Sequence, residues 1–294
     1  MSSARIALVT CTPGPGAAAD PDLPGLLAAL AATGAEAVAV RWDDPGADWA
    51  AFDLAVIRST WDYARRPAEF LAWVDRCGAL TRLANPPAVL RWNADKQYLG
   101  ELAARGVPVV PTRYLPPGSP AELPADHEYV IKPTTGAGAR FAARHLPAER
   151  AQAVQHLAQL HAEGLTAMVQ PYLRRIERSG ERSLVFVAGR CVHAIRKNGV
   201  LAAGARFDAE KNPHPGVVPW TPSPAELAAG ERVLAAVPGA PELLYARVDL
   251  VEDEDGAPLV MELEAIEPYL FLTLHQESLP VFARAIAAAA SRGE

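Results

Sequence analysis

The chain has 294 residues, half of them hydrophobic, and a formal net charge of −6, which suits two or three packed units rather than one small core. No basic run stands out, which argues against a nucleic-acid partner. Three widely spaced cysteines, Cys11, Cys77 and Cys191, form no zinc-type pair and point to a reducing, cytoplasmic setting. The apolar run 5–11 is too short for a signal peptide, and the Ala-rich stretch 281–290 is broken by Arg284, so no membrane span is expected.

Residues 5–11, 35–42 and 53–59 read as buried strands, with helices over 23–32 and 67–78; Pro67 suits a first helical turn. This alternation predicts a parallel sheet with right-handed crossovers over residues 1–90, closed off near Asn85-Pro86-Pro87. A second unit is expected over 91–172. It comprises a helix over 93–105 capped by Asn93, a strand over 107–115, a strand over 128–132 and a loop 133–140. A strand over 141–145, a helix over 148–162 and a strand over 167–172 complete it. A third unit, 173–294, has strands over 183–187 and 191–197 joined at Ala188-Gly189, and a helix over 225–236. It ends with a hairpin of 244–251 and 259–264 and a helix from about His275. The fold class is thus α/β followed by α+β.

The hairpin carries the most chemistry. Side chains two apart share one strand face, so Arg247 and Asp249 face one way, Val248 and Leu250 the other. Likewise Glu262 and Glu264 oppose Met261 and Leu263. If Asp255-Gly256 is a two-residue turn, Asp249 lies opposite Glu262 and Arg247 opposite Glu264. Like charges facing across a ladder destabilise it unless something neutralises them; a hard cation with oxygen ligands does so. The pattern also fits a solvated amphipathic hairpin.

Only four of the 28 Lys and Arg residues are lysines, namely Lys96, Lys132, Lys197 and Lys211. Lys132 ends an apolar strand and precedes Pro133-Thr134-Thr135-Gly136-Ala137-Gly138. Small residues let backbone N–H groups approach phosphate oxygens, and an ammonium adds a point charge. The order is not that of a P-loop, in which the lysine follows the glycines. Nor does Thr12-Pro13-Gly14-Pro15-Gly16 supply the three-glycine turn of nicotinamide enzymes.

Taken together, these features resemble the ATP-grasp superfamily over about residues 91–275. By that resemblance Lys96 and Lys132 are nucleotide-binding lysines, and Gly136 and Gly138 belong to the loop covering the phosphates. Gln170, Pro171, Tyr172 and Leu173 form the hinge meeting adenine, and Glu181 binds ribose. Arg247 and Lys132 act in catalysis, and Asp249, Glu262 and Glu264 hold Mg²⁺, with Mn²⁺ as the alternative. The last metal position is often asparagine; here it is Glu264. The runs Arg58-Ser59-Thr60-Trp61-Asp62-Tyr63 and Met261-Glu262-Leu263-Glu264-Ala265-Ile266-Glu267-Pro268 resemble an actinobacterial branch compared with glutathione synthetases and ribosomal-protein glutamate ligases, which includes a cycloserine-forming ligase.

The resemblance implies an ATP-grasp fold and an ADP-forming carbon–nitrogen ligase that activates a small amino-acid-like carboxylate as an acyl phosphate for attack by an amine. Modification of a peptide or protein terminus, or nucleotide binding without catalysis, are the alternatives; a homodimer is left open. Arg58, Ser59, Thr60, Trp61 and Asp62 follow a buried strand at the edge where open parallel sheets bind ligands. They are expected to meet substrate, the Arg58 guanidinium donating to the substrate's carboxylate; alternatively Arg58 and Asp62 pair and brace the loop. On the strand 191–197, Arg196 or Lys197 is placed to meet phosphate or carboxylate, with Arg196 assigned to substrate.

Overall fold

A computed structural model describes residues 3–12, 19–136, 138–199, 201–202, 216–239 and 242–292. Lys211 and the turn 13–16 lie outside them. The first sheet is parallel, in the order β2 (Glu36–Arg41), β1 (Arg5–Thr10), β3 (Leu54–Ser59), β4 (Leu83–Ala84). The continuous apolar runs of β1 and β3 suit strands covered on both faces. Helix α1 (Leu23–Ala31) packs on one face through Leu26 and Leu30, and α2 (Pro67–Leu80) covers the other through Phe70, Trp73 and Val74.

Two further helices, α3 (Pro87–Asn93) and α4 (Tyr98–Ala104), replace the single helix expected over 93–105. Asn93 does not cap a helix. It ends α3, and its side chain holds the Leu263 carbonyl at 2.8 Å and the Ala265 N–H at 2.8 Å.

The second sheet is antiparallel, in the order β5 (Arg113–Leu115), β8 (Ala167–Pro171), β6 (Tyr129–Pro133), β7 (Ala143–His145). Of the strand expected over 107–115 only its end joins this sheet; Val109 instead bridges Val260. Helix α5 (Arg150–Ala162) buries Ala153, Leu157 and Leu160 against Tyr129, Ile131 and Val169. Period-two alternation turns Val130, Lys132 and Gln170 to the opposite face.

After a short helix α6 (Ile176–Ser179), the third sheet runs β11 (Val218–Trp220), β10 (Arg190–Lys197), β9 (Glu181–Val187), β12 (Tyr245–Glu252), β13 (Pro258–Glu264), all antiparallel. One face is apolar and packs on α7 (Pro224–Ala235), whose start is fixed by a Ser223–Glu226 capping box. Gly230 on α7 is needed for that approach, because a Cβ there would lie 2.6 Å from the Phe186 ring.

Packing crosses the sequence boundaries. Tyr98, Leu99 and Leu102 of α4 join the apolar core of the third sheet. The last helix, α8 (Leu279–Ser291), folds back onto α1 and the first sheet through Phe282 and Ile286.

The hairpin β12–β13 has the expected pairing at the acidic residues for an unexpected reason. Glu252 pairs with Pro258, so the turn is longer than Asp255-Gly256; Asp253 Oδ1 accepts from the N–H groups of Asp255 and Ala257. A bulge then leaves Met261 unpaired, and beyond it Asp249 meets Glu262 and Arg247 meets Glu264. The bulge breaks the alternation: Met261, expected beside Leu263 on the apolar face, lines the cleft with Glu262.

Candidate active site

The second and third sheets face each other across a cleft. Its lining is the product of strand alternation in both sheets. Lys132 and Gln170 come from β6 and β8, Glu181 from β9, Lys197 from β10, Arg247 and Asp249 from β12, and Glu262 and Glu264 from β13. Pro171, Tyr172, Leu173 and Gly138 line it too, and Val110, Val130, Ile176 and Met261 add apolar surface. Gln170 turns its side chain to Thr112 Oγ1 at 2.9 Å.

The acidic end of β13 is held by side chains from far along the chain. Besides Asn93, Tyr98 Oη lies 2.8 Å from the Leu263 carbonyl and accepts from the Leu263 N–H at 2.9 Å. Asn85 donates to the carbonyls of Tyr245 and Ala265 at 2.9 and 2.8 Å, and accepts from the Leu244 N–H at 2.8 Å. Both strands of the hairpin are thereby pinned by buried, satisfied amides.

Among the described residues, Asp249, Glu262 and Glu264 bring ligand oxygens within 4.8 Å of one another. Three clustered carboxylates supply the hard oxygen donors that Mg²⁺ or Mn²⁺ takes. Arg247 forks onto Asp249 through Nε and Nη2, both at 2.8 Å, and its Nη2 also reaches Glu264 at 2.5 Å. Asp249 further accepts from Ser183 Oγ at 2.5 Å and lies 3.4 Å from Lys197 Nζ. Burial raises the Asp249 pKa, but Arg247 and Lys197 outweigh it and hold the carboxyl well below its usual range. For Glu264 burial dominates despite Arg247, and the direction is up.

Glu181 is ion-paired with Lys197. Burial pushes its carboxyl up to about 7, against the pull of that ammonium. Gly180 permits the pairing: its φ is +71°, and a Cβ there would lie 2.5 Å from the Lys197 carbonyl oxygen. Lys96 does not line the cleft wall itself. Its ammonium donates to the Gly136 carbonyl at 2.5 Å and meets Glu262 at 3.1 Å, tying the glycine-rich loop to the acidic cluster. Burial lowers the Lys96 pKa, but Glu262, Glu264 and Glu267 outweigh it, so the net direction is up. At Lys132 burial prevails and, with the Lys96 charge, lowers the pKa.

Arg196 is not in this cleft. On β10 it alternates with Lys197, and the regular pairing Arg196↔Arg182 and Lys197↔Glu181 puts Lys197 on the cleft face. The second cation on this sheet is therefore Lys197; the scarcity of lysine together with strand alternation was the signal for it. Residues 58–62 do not line the cleft either. Arg58 is 1% exposed, faces Asp20 at 3.7 Å and the Pro268 carbonyl at 3.4 Å, and lies over the Phe282 ring. Ser59 and Thr60 are buried. Asp62 accepts from Trp42 Nε1 at 2.8 Å and pairs with Arg66, so the alternative Arg58–Asp62 brace is replaced by two other pairs. The Trp61 ring meets that of Tyr269 edge-on at 6.4 Å.

Known proteins share this architecture. A family model described as "D-cycloserine synthetase DcsG, N-terminal domain" matches residues 6–85. The cycloserine biosynthesis protein DcsG of Streptomyces lavendulae is 36% identical over 289 residues, covering 91% of this chain and 93% of that protein. The crystal structure of D-cycloserine synthetase DcsG superposes with a TM-score of 0.88 at 35% identity, covering 98% of this chain and 100% of the other. The D-alanine–D-alanine ligase of Bacillus anthracis complexed with ATP shares the fold, with a TM-score of 0.70 at 15% identity over 99% of this chain and 98% of that one. No helix among the described residues is long and apolar enough to cross a membrane.

Proposed function

This chain belongs to the DcsG family of ATP-grasp ligases, and on that premise we propose that it uses ATP to convert a serine-derived carboxylate into an acyl phosphate and closes a cycloserine-type ring. The observation that carries this reading is one cleft in which Lys132, Lys197 and Arg247 face Asp249, Glu262 and Glu264. Phosphoryl transfer asks a protein chiefly to position the γ-phosphate and to neutralise charge as it spreads over the transferring oxygens. No side-chain nucleophile is required. A carboxylate oxygen of the substrate attacks the γ-phosphorus and the bond to the β-bridging oxygen breaks, releasing ADP. A nitrogen of the same molecule then attacks the acyl carbon, phosphate leaves, and the nitrogen gives up a proton.

Lys132 and Lys197 would hold phosphate oxygens, and Arg247 would steady the transferring group. Glu181 would meet ribose, and residues 170–173 the adenine edge beside the apolar lining. Asp249, Glu262 and Glu264 would hold Mg²⁺, which when bound neutralises phosphate charge. The loop bearing Gly136 and Gly138 would exclude water from the acyl phosphate.

On the acceptor side, Arg58 Nε, Thr60 Oγ1 and Asp22 Oδ2 are buried without a hydrogen-bond partner among the described residues, and Arg58 Nη2 and Asp20 Oδ2 meet only as an ion pair at 3.7 Å. Buried orphans of both polarities suit the carboxylate and ammonium of a small zwitterion. This edge adjoins the cleft: Arg58 contacts the Pro268 carbonyl, and Arg247 donates to the next one, Tyr269, at 3.1 Å. The test is a panel of serine-derived acids bearing a nucleophilic nitrogen, assayed for ADP release and product mass. Acid-dependent ADP with a ring-closed product is expected; ADP release indifferent to every acid would defeat the reading.

A further inference from the structure

The buried face of α5 is apolar at Ala153, Leu157 and Leu160, yet it also carries His156, only 3% exposed. A polar ring in such a face calls for partners. His156 Nε2 lies 3.0 Å from the Phe141 carbonyl, and its Nδ1 lies 3.0 Å from Nε2 of His145 on β7. The protons can be assigned. A carbonyl only accepts, so His156 Nε2 carries a hydrogen. Burial and the neighbouring His145 lower the His156 pKa to about 4, so the ring is neutral and its Nδ1 is a bare acceptor. His145 therefore donates from Nε2, and the two rings form a one-way relay that ends on the backbone of Phe141.

Phe141 closes the glycine-rich loop. Gly138, Ala139 and Ala142 line the cleft on either side of it. Gly138, Ala139 and Phe141 all have positive φ, at 63°, 58° and 57°. For alanine and phenylalanine this left-handed backbone is costly and persists only where surroundings enforce it. The Phe141 ring is anchored in the core of the second sheet, and its carbonyl is anchored by His156. A ring and a carbonyl fixed together define the direction in which the chain re-enters β7 from the cleft that Gly138, Ala139, Ala142 and Lys132 line together.

We propose that the His145–His156 pair is a positioning device that sets the glycine-rich loop over the ATP phosphates through the Phe141 carbonyl. The proposal rests on the reading of this cleft as the ATP site. It predicts a split that core packing alone would not produce. His156→Leu keeps apolar volume and removes the donor; its KM for ATP should rise about tenfold, the effect of one lost hydrogen bond, with kcat at saturating ATP within roughly threefold. His156→Gln can donate to Phe141 and accept from His145, and should return KM to within roughly threefold of wild type. Amide hydrogen exchange at 138–142 should be faster in His156→Leu and restored in His156→Gln.

Wild-type ATP KM in a folded His156→Leu, or no rescue by His156→Gln, would overturn the proposal. Should His156→Leu not fold, ¹⁵N shifts of the wild-type imidazoles decide: His156 must be the Nε2–H tautomer, and an Nδ1–H tautomer overturns the relay. Wild-type chain that fails to bind Mg-ATP would remove the nucleotide reading first, an outcome separate from ATP binding that is indifferent to His156.

Discussion

Arg247 and Asp249 stand two positions apart on β12 and are joined by a fork of two 2.8 Å hydrogen bonds. Strand alternation puts both on the cleft face, and the fork fixes the plane of the guanidinium beside the acidic cluster. A charge held in a fixed orientation needs little reorganisation when charge develops on a neighbouring group. The same guanidinium donates to the Tyr269 carbonyl, so its position is also tied to the segment that adjoins Arg58.

Arg247→Lys keeps a positive charge but loses the planar fork. Turnover should fall by roughly 10²–10³, the scale for losing one oriented donor to a transition state, while ATP affinity changes far less. Steady-state kinetics with ATP varied check this; a raised KM for ATP with kcat unchanged would make Arg247 a ground-state ligand instead.

Asp249→Asn and Glu262→Gln each remove a charge from the three-carboxylate cluster. Both variants should need more Mg²⁺ for half-maximal turnover and be nearly inactive at low Mg²⁺, with far-ultraviolet circular dichroism unchanged. A Mg²⁺ titration of turnover is the measurement. Wild-type turnover in both at low Mg²⁺ would remove the metal assignment.

Lys197 and Arg196 separate two faces of one strand. Lys197→Met should cost turnover at least about 10²-fold, whereas Arg196→Met, half-buried on the face away from the cleft, should keep kcat within roughly threefold of wild type. Parallel kcat measurements decide; the reverse order would mean that substrate lies on the α7 side of the sheet.

The sequence made the acidic hairpin legible because period two is a local property: Arg247, Asp249, Glu262 and Glu264 declare their face without reference to anything distant. Lys132 and the loop after it were legible for the same reason. The clamps on β13 were not. Asn85, Asn93 and Tyr98 reach their partners across more than 150 positions in the chain, and Asn93 at the start of an expected helix reads locally as a cap. Arg58 hid its partner likewise, since Asp20 lies just ahead of α1, far from β3 in the chain. The bulge at Met261 offset the longer turn, and this cancellation left the expected cross-strand pairs intact. The return of α8 to the first sheet could not be read from its own Ala-rich pattern, which specifies an apolar face and not its partner.

Stability should depend on pH through His193. Its ring is held between Ser278 Oγ at 2.8 Å and the Leu270 carbonyl at 2.7 Å, and burial lowers its pKa to about 4. A folded pKa below the ordinary 6.5 favours the neutral ring, so its contribution is complete above pH 6.5 and is lost as pH falls toward 4. Glu181, raised to about 7, acts in the opposite sense over much of that window. The test therefore compares His193→Gln with wild type by thermal unfolding. The gap in Tm between them should shrink between pH 6.5 and 4; a constant gap would show that His193 does not titrate on unfolding.

Activation of the carboxylate by ATP as an acyl phosphate is tested most directly by trapping with hydroxylamine. With Mg-ATP and the acid that supports turnover, added hydroxylamine should yield the acyl hydroxamate together with one ADP per hydroxamate. Hydroxamate accompanied by AMP and pyrophosphate would contradict the account, because the activated species would then be an acyl adenylate.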